Sequence, residues 1–130
     1  MAGAASDIAW AAGLFEGEGC LSFGHRTLHA TLAMTDVDVV DRFQSIVGFG
    51  QRRERVDGHR SDPRGYKHEW KTAYVWDASS FEHVQALIAM FWPFFGERRR
   101  ARARNLMQSK RVDRLQAYRN RGQVPYEKEV

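Results

Sequence analysis

The sequence contains little cysteine and no long apolar run, and each shortage excludes a class of protein. Its single cysteine, Cys20, cannot form an internal disulfide framework. No apolar run approaches the roughly 20 residues of a membrane-spanning helix, so we expect no membrane partner. Residues 1–7 have neither a basic region nor a long apolar stretch. We therefore expect no signal peptide but an intracellular protein, whether cytoplasmic, organellar or made in a phage-infected cell.

Internal repeats and zinc-binding patterns are also missing. The five histidines show no zinc-type spacing with Cys20, and no segment occurs twice. The length of 130 residues suits one domain with a modest core. We predict a single domain over residues 1–120, followed by a polar, flexible tail at residues 121–130.

Positive charge is in modest excess and unevenly distributed. The chain has 20 Lys and Arg residues against 16 Asp and Glu residues, a net charge of +4. The segment 97–119 is crowded with arginine, and its like charges repel unless an anion lies nearby. The phosphate backbone of a nucleic acid is such an anion, so the distribution favours a nucleic-acid partner.

The segment 9–19 is typical of a short helix with one bare face. Ala9, Gly13 and Gly17 recur four residues apart, which places them on the same side of a helix. Glycine costs a helix up to about 1 kcal/mol relative to alanine. Two glycines therefore require a compensating gain, and the close approach of a second helix supplies one.

Two carboxylates follow at the end of this helix. Glu16 and Glu18 lie where the helix dipole is already negative, and a bound cation would resolve the conflict. Mg²⁺ held by one or two carboxylates can neutralise a phosphate and activate a water, so Glu18 is our first choice as a metal ligand. The alternative is that both acids are solvated charges. For Glu16 we favour a structural role at the helix junction.

The rest of the chain alternates between strand and helix patterns. Period-two alternation predicts a hairpin over residues 20–34 with its turn near Arg26-Thr27, and a second hairpin whose strands are 51–56 and 69–77. Residues 57–65 form its tip. Helices are predicted over 37–47, capped by Thr35-Asp36, over 81–90, capped by Ser79-Ser80, and over 97–119. The fold class is therefore α+β, with an antiparallel sheet covered on one face by helices.

The uncovered face of this sheet is polar and suits a DNA groove. Arginine reaches guanine O6 and N7, while serine, threonine and glutamine allow mixed readout. The residues predicted to contact DNA are Ser22, Gly24, Arg26, His29, Thr31, Gln51, Arg53, Arg55 and Lys71.

Residues 11–19 resemble the signature of the LAGLIDADG homing endonucleases. Gly13, Leu14, Gly17 and Gly19 occupy familiar places, and the two glutamates stand where that motif has its acids. The departures are chemically mild: Ala11 for Leu, Phe15 for Ile, and Glu for Asp twice. The predicted order of elements also resembles the αββαββα core of that family, whose sheet forms a saddle on DNA.

The resemblance implies a homodimer that makes a metal-dependent double-strand break in a long, near-palindromic DNA target. The dimer interface would include Ala9, Gly13, Glu16 and Gly17. Glu18 and the Gly17 carbonyl would bind Mg²⁺, with Mn²⁺ or Ca²⁺ able to substitute for binding.

The resemblance also implies two supporting catalytic roles. Asp36 would orient a water near the metal, and helix capping is an equally good role for it. Arg98 or Arg100 would stabilise the reacting phosphate, and phosphate contact or simple solvation is the alternative for each. Two rival functions stay open. One is a non-cleaving relative, either an RNA maturase or a DNA-binding regulator. The other is a structural nucleic-acid-binding protein in which Glu18 is inert.

Overall fold

The structure, a computed structural model, describes residues 5–55, 60–61, 67–68 and 72–120, with only the backbone given at 60–61, 67–68, 110–118 and 120. The described helices are α1 (Ala5–Glu18), α2 (Val37–Val47), α3 (Phe81–Phe91) and α4 (Glu97–Asn120), with a 3₁₀ turn at Trp92–Phe94. The described strands are β1 (Gly19–Gly24), β2 (Thr27–Met34), β3 (Gln51–Arg55), β4 (Arg60–Ser61), β5 (Lys67–His68) and β6 (Ala73–Ala78). None of these helices is long and apolar enough to cross a membrane.

The main sheet has four antiparallel strands in the order β1-β2-β6-β3, and β4 pairs with β5 in a separate ribbon. The α+β class and the order of helices and hairpins are confirmed. The second predicted hairpin pairs β3 with β6, with Arg53 opposite Val75. Its return strand is described from Ala73, whereas the predicted start at 69–71 lies outside the described residues, as do most of the 57–65 tip and the whole 121–130 tail.

The core lies between the helices and one face of the sheet. Leu28, Leu32 and Trp76 point into it from the strands and are fully buried. On the helix side, the ring of Phe15 lies 6.2 Å from that of Phe43, measured between ring centroids. Phe91 and Phe95 lie at similar distances from Phe15, at 5.9 and 6.2 Å. Burying a ring of this size stabilises the fold by about 1.5–3 kcal/mol, so Phe15 anchors α1 firmly.

Local backbone geometry explains where β1 and α2 end. His25 and Arg26 have φ of 50° and 64°, the left-handed pair that a tight two-residue hairpin loop requires. The turn therefore lies at His25-Arg26, one residue before the predicted position. Gly48, with φ of 85°, ends α2 and donates its N–H to the Gln44 carbonyl at 2.8 Å.

The start of α3 follows the prediction. Ser80 has extended backbone angles, and its Oγ accepts the N–H of His83 at 3.1 Å, which satisfies one of the free donors of the first turn. The Trp92–Phe94 turn, with Pro93 inside it, separates α3 from α4. The break directs α4 back past β1, beside the C-terminal end of α1.

Candidate functional site

One face of the sheet carries no helix from the described part of the chain, and most of the predicted DNA-contacting residues lie on it. Side chains alternate between faces along each strand, and Leu21, Leu32 and Trp76 define the core side. The register then places seven predicted residues on the opposite side, which we term the polar face: Ser22, Gly24, His29, Thr31, Gln51, Arg53 and Arg55. Arg26 lies in the hairpin turn at one end, and Lys71 lies outside the described residues.

An acidic residue missing from the prediction also lies on the polar face. Asp77 is opposite Thr31 on one neighbouring strand and Gln51 on the other. Arg53 Nε donates to Asp77 Oδ2 at 3.0 Å. The sequence signal was present, because Asp77 follows Val75 at the period-two spacing of the same face. It was missed because Asp77 was interpreted as the end of the strand.

Glu18 is the last residue of α1 and is exposed. Within the described residues its side chain forms no hydrogen bond or ion pair. Glu16 differs: its Oε2 atom is buried without a hydrogen-bond partner, and Arg99 Nε lies 3.9 Å from it. The two acids therefore have different surroundings, and Glu18 is the one available to a ligand.

Arg99 belongs to the first turn of α4, and its side chain lies against the C-terminal end of α1. Its Nη2 donates to the carbonyls of Phe15 at 3.3 Å, Glu16 at 3.0 Å and Gly19 at 3.1 Å. The Gly17 carbonyl receives none of these bonds. This changes one sequence-based inference, because the cation that relieves the negative helix end is a side chain of the protein itself. The case for a metal therefore depends on Glu18 and not on the helix dipole.

The structure separates the two arginines proposed for the reacting phosphate. Arg100 donates from Nε and Nη2 to the Trp92 carbonyl at 3.2 and 3.0 Å, and its Nη1 lies 3.7 Å from Glu97. Arg98 is exposed and lines an open depression of about 690 Å³ beside the end of α1. The other side chains and backbone of this depression come from Glu16, Gly19, Cys20, Leu21, Arg99, Ala101, Arg102 and Asn105. Arg98 is thus the one of the two that faces open space beside the end of α1.

Asp36 occupies the N-cap position of α2, but its side chain forms no capping hydrogen bond. Only its carbonyl takes part, accepting the Val40 N–H at 3.3 Å. The register pairs Gly19 with Leu32, so the chain enters β1 after Glu18 and leaves β2 towards Asp36 at the same end of the sheet. The carboxylate of Asp36 is exposed there, free of the capping role.

The small-residue face of α1 is open. Gly13 and Gly17 are exposed, and a Cβ built on either would have nothing within 4 Å. Ala11, Ala12 and Phe15, on the other side of the helix, are buried. No described residue therefore packs against these glycines, whereas a second helix could come close to them.

The donors at the helix end fit a hard divalent cation only in part. Within the described ranges, no three His, Cys, Asp or Glu side chains lie together as a metal-binding group. One chain offers the Glu18 carboxylate and the Gly17 carbonyl, both oxygen donors of the kind that Mg²⁺ and Ca²⁺ prefer. The donors fit such an ion once a second carboxylate or a phosphate joins them.

Comparison with solved structures finds this fold in homing endonucleases. I-CvuI in complex with the I-CreI target superposes with a TM-score of 0.60 at 18% identity, covering 82% of this chain and 66% of that one. For I-TnaI the TM-score is 0.52 at 14% identity, with 88% and 74% covered. For the archaeal intron-encoded I-Vdi141I complexed with DNA it is 0.51 at 16% identity, with 68% and 55% covered.

The chain spans just under two thirds of the length of I-CvuI. No protein-family model matches the sequence, and no curated protein does. At these identities the comparison establishes the fold, and residue roles must be argued from the site itself.

Proposed function

We propose that this chain is a LAGLIDADG-type homing endonuclease that cuts both strands of a long, near-palindromic DNA target as a homodimer. The observation that carries the proposal is the exposed Glu18, unpaired among the described residues, at the end of a helix whose outer face carries Gly13 and Gly17. A shared helix interface would place two such carboxylates close together. Two solved complexes of I-CvuI with DNA share the fold; in the one with Mg the DNA is not cleaved, and the other contains Ca.

The polar face supplies the DNA-binding surface in this proposal. Arg53, Arg55 and Gln51 lie on β3 at one edge of the sheet, while Ser22 lies on β1 at the other. This mixture of cationic and neutral donors suits base edges and phosphates in a groove. The arginines at the start of α4 add positive charge beside β1, so binding should weaken steeply with salt.

Dimerisation would complete the cleavage site. In a twofold dimer the same surface of each chain faces its copy, so Gly13 would meet the partner helix across the axis. Ala9, Gly17 and Glu16 would border that contact. Each chain would then contribute one Glu18, which matches a duplex with two strands to cut.

Each step of phosphodiester cleavage would depend on a small number of groups. The Glu18 carboxylate and the Gly17 carbonyl would hold a divalent cation, which supplies charge neutralisation and an activated water when bound. Arg98 would face the reacting phosphate from the depression and offset its developing charge. Asp36, whose carboxylate is free of capping, would accept a hydrogen bond from a water near that phosphate.

The direct test is cleavage of a plasmid that carries a candidate insertion sequence, incubated with Mg²⁺. We expect the wild-type chain to linearise it. Glu18→Gln should bind the same duplex and leave it intact, while Asp38→Asn, an exposed carboxylate on α2, should cut normally. Binding without cleavage in Mg²⁺ or Mn²⁺ would contradict the proposal and favour a non-cleaving relative. Tighter binding to structured RNA than to duplex DNA would identify the maturase alternative.

A further inference from the structure

We propose that Arg99 is a positioning residue that fixes the turn carrying Gly17 and Glu18 and so presents both as ligands of one cation. The inference rests on the proposed function, since it concerns the same metal. It assigns a task to a side chain whose hydrogen bonds go to the backbone at the end of α1.

The bonds of Arg99 bracket the two proposed ligands. The last carbonyls of a helix have no partners within the helix, and α1 ends at Glu18. Arg99 donates to the carbonyls of Phe15 and Glu16 on one side of the ligand pair and to the carbonyl of Gly19 on the other. The intervening Gly17 carbonyl is left without a bond from Arg99, although it belongs to the same turn.

The guanidinium is itself held in place. Its side chain is 17% exposed, and its central carbon lies 5.3 Å from the ring centre of Phe15, which is fully buried. One turn later on α4, Arg102 Nε donates to the Leu21 carbonyl at 3.4 Å. Two arginines of α4 therefore bond to the backbone on both sides of the turn. These bonds fix the turn relative to α4 and the core.

The charge of Arg99 also separates the roles of the two acids. Its Nε lies 3.9 Å from Glu16 Oε2, and its Nη2 lies at the negative end of α1. Glu16 is thereby associated with a protein cation. Glu18, two residues further on, forms no ion pair within the described residues and is the acid left for a ligand.

Substituting Arg99 should therefore weaken metal use more than DNA binding. Arg99→Met removes the donors and keeps an aliphatic stem near Phe15. Losing a partner that orients a metal ligand typically costs about 10–100-fold in metal affinity. We expect the Mg²⁺ concentration for half-maximal cleavage to rise at least about tenfold, while the Kd for DNA without metal stays near that of the wild type.

Two further variants complete the design. Arg99→Lys keeps the charge and some donors and should recover part of the loss, and it also serves if Arg99→Met does not fold. Arg52→Met is the matched control, because Arg52 also pairs with an acid, Asp41 at 2.8 Å, and lies over a ring, that of Tyr74 at 5.6 Å. It lies on the core side of β3, remote from the end of α1, and should leave the Mg²⁺ requirement unchanged.

A second readout needs neither metal nor DNA. Hydrogen exchange of the amides in residues 16–21 should be about tenfold faster or more in metal-free Arg99→Met, since the turn loses its fixed conformation. Exchange in β2 and β6 should match the wild type. Unchanged exchange in 16–21, or a normal Mg²⁺ requirement in Arg99→Met, would overturn the inference. If the wild type never cleaves DNA, the proposed function fails while the exchange result still decides the role of Arg99 in fixing the turn.

Discussion

The guanidinium of Arg53 lies against the carboxylate of Asp77 on the polar face, with Nε 3.0 Å from Oδ2. The acid is the more enclosed partner, because the Asp77 side chain is 22% exposed and that of Arg53 is 69% exposed. Asp77 bonds to the Nε atom of the guanidinium. The terminal nitrogens, Nη1 and Nη2, can therefore donate to guanine. Under the proposed function, Asp77 would orient Arg53 towards DNA.

The first prediction concerns Asp77→Asn. The substitution removes a negative charge from the polar face and loosens Arg53, so affinity for unrelated duplexes should rise. Discrimination in favour of the cognate target should fall by about 1–3 kcal/mol, the usual value of one arginine–guanine pair. Competition binding with both duplexes at several salt concentrations measures the two effects.

Protein stability provides the control for that experiment. The Arg53–Asp77 pair is largely exposed on its arginine side, so its loss should change the free energy of unfolding by less than about 1 kcal/mol. An Asp77→Asn protein that keeps full discrimination would show that Arg53 does not depend on its partner for readout.

The second prediction compares two adjacent arginines on opposite faces of β3. Arg53 is on the polar face, whereas Arg52 is opposite Trp76 on the core side and pairs with Asp41. Arg53→Gln should weaken binding to the cognate target by about 1–3 kcal/mol, the usual cost of losing one arginine–guanine contact. Arg52→Gln should leave that affinity unchanged. Equal effects of the two variants would mean that the polar face is not the DNA-binding surface.

Much of the fold could be predicted from the sequence because its signals are local. The period-two pattern of β2, with Leu28, Ala30 and Leu32 inward, identified a strand and its faces. Ser80 identified the start of α3. The same alternation grouped the seven described residues of the polar face, because strand geometry fixes which side chains share a side.

The candidate site was less predictable because it depends on contacts between distant elements. Arg98, Arg99 and Arg100 are equivalent in sequence, and only the rotation of α4 against α1 assigns one to the depression, one to the helix end and one to the Trp92 carbonyl. No periodicity carries that information. The sequence likewise showed the charge conflict at the end of α1 but not that a residue 80 positions away relieves it.

The third prediction separates folding from assembly at Gly13. Because a side chain here meets open space in the folded chain, Gly13→Leu should not lower the stability of the monomer, and relief of the glycine penalty should raise it by up to about 1 kcal/mol. The added side chain should, however, prevent close helix contact and abolish the dimer. Sedimentation velocity with and without duplex measures this.

Ala86→Leu, on the exposed side of α3, is the matched control for Gly13→Leu. It adds a leucine to another helix surface and should leave the oligomeric state unchanged. A Gly13→Leu protein that still dimerises on DNA would exclude the small-residue face of α1 as the interface.

The fourth prediction tests the packing that anchors α1. A Cβ at Gly19 would stand 2.6 Å from Cγ of Phe15, a distance that forces the ring to move. Gly19→Ala should therefore destabilise the fold by about 1–3 kcal/mol, as overpacking does. Gly24→Ala, in the same strand with nothing within 4 Å of the added atom, should be much less costly. Urea denaturation of both variants makes the comparison.

The most direct test of the central claim mixes two kinds of chain. Wild-type and Glu18→Gln chains are co-expressed in known ratios so that dimers form at random, and double-strand cleavage of the target is measured at constant total protein. If each dimer needs a Glu18 from both copies, an equal mixture should retain about a quarter of the wild-type activity. Activity proportional to the wild-type fraction, or cleavage by Glu18→Gln chains alone, would contradict the account.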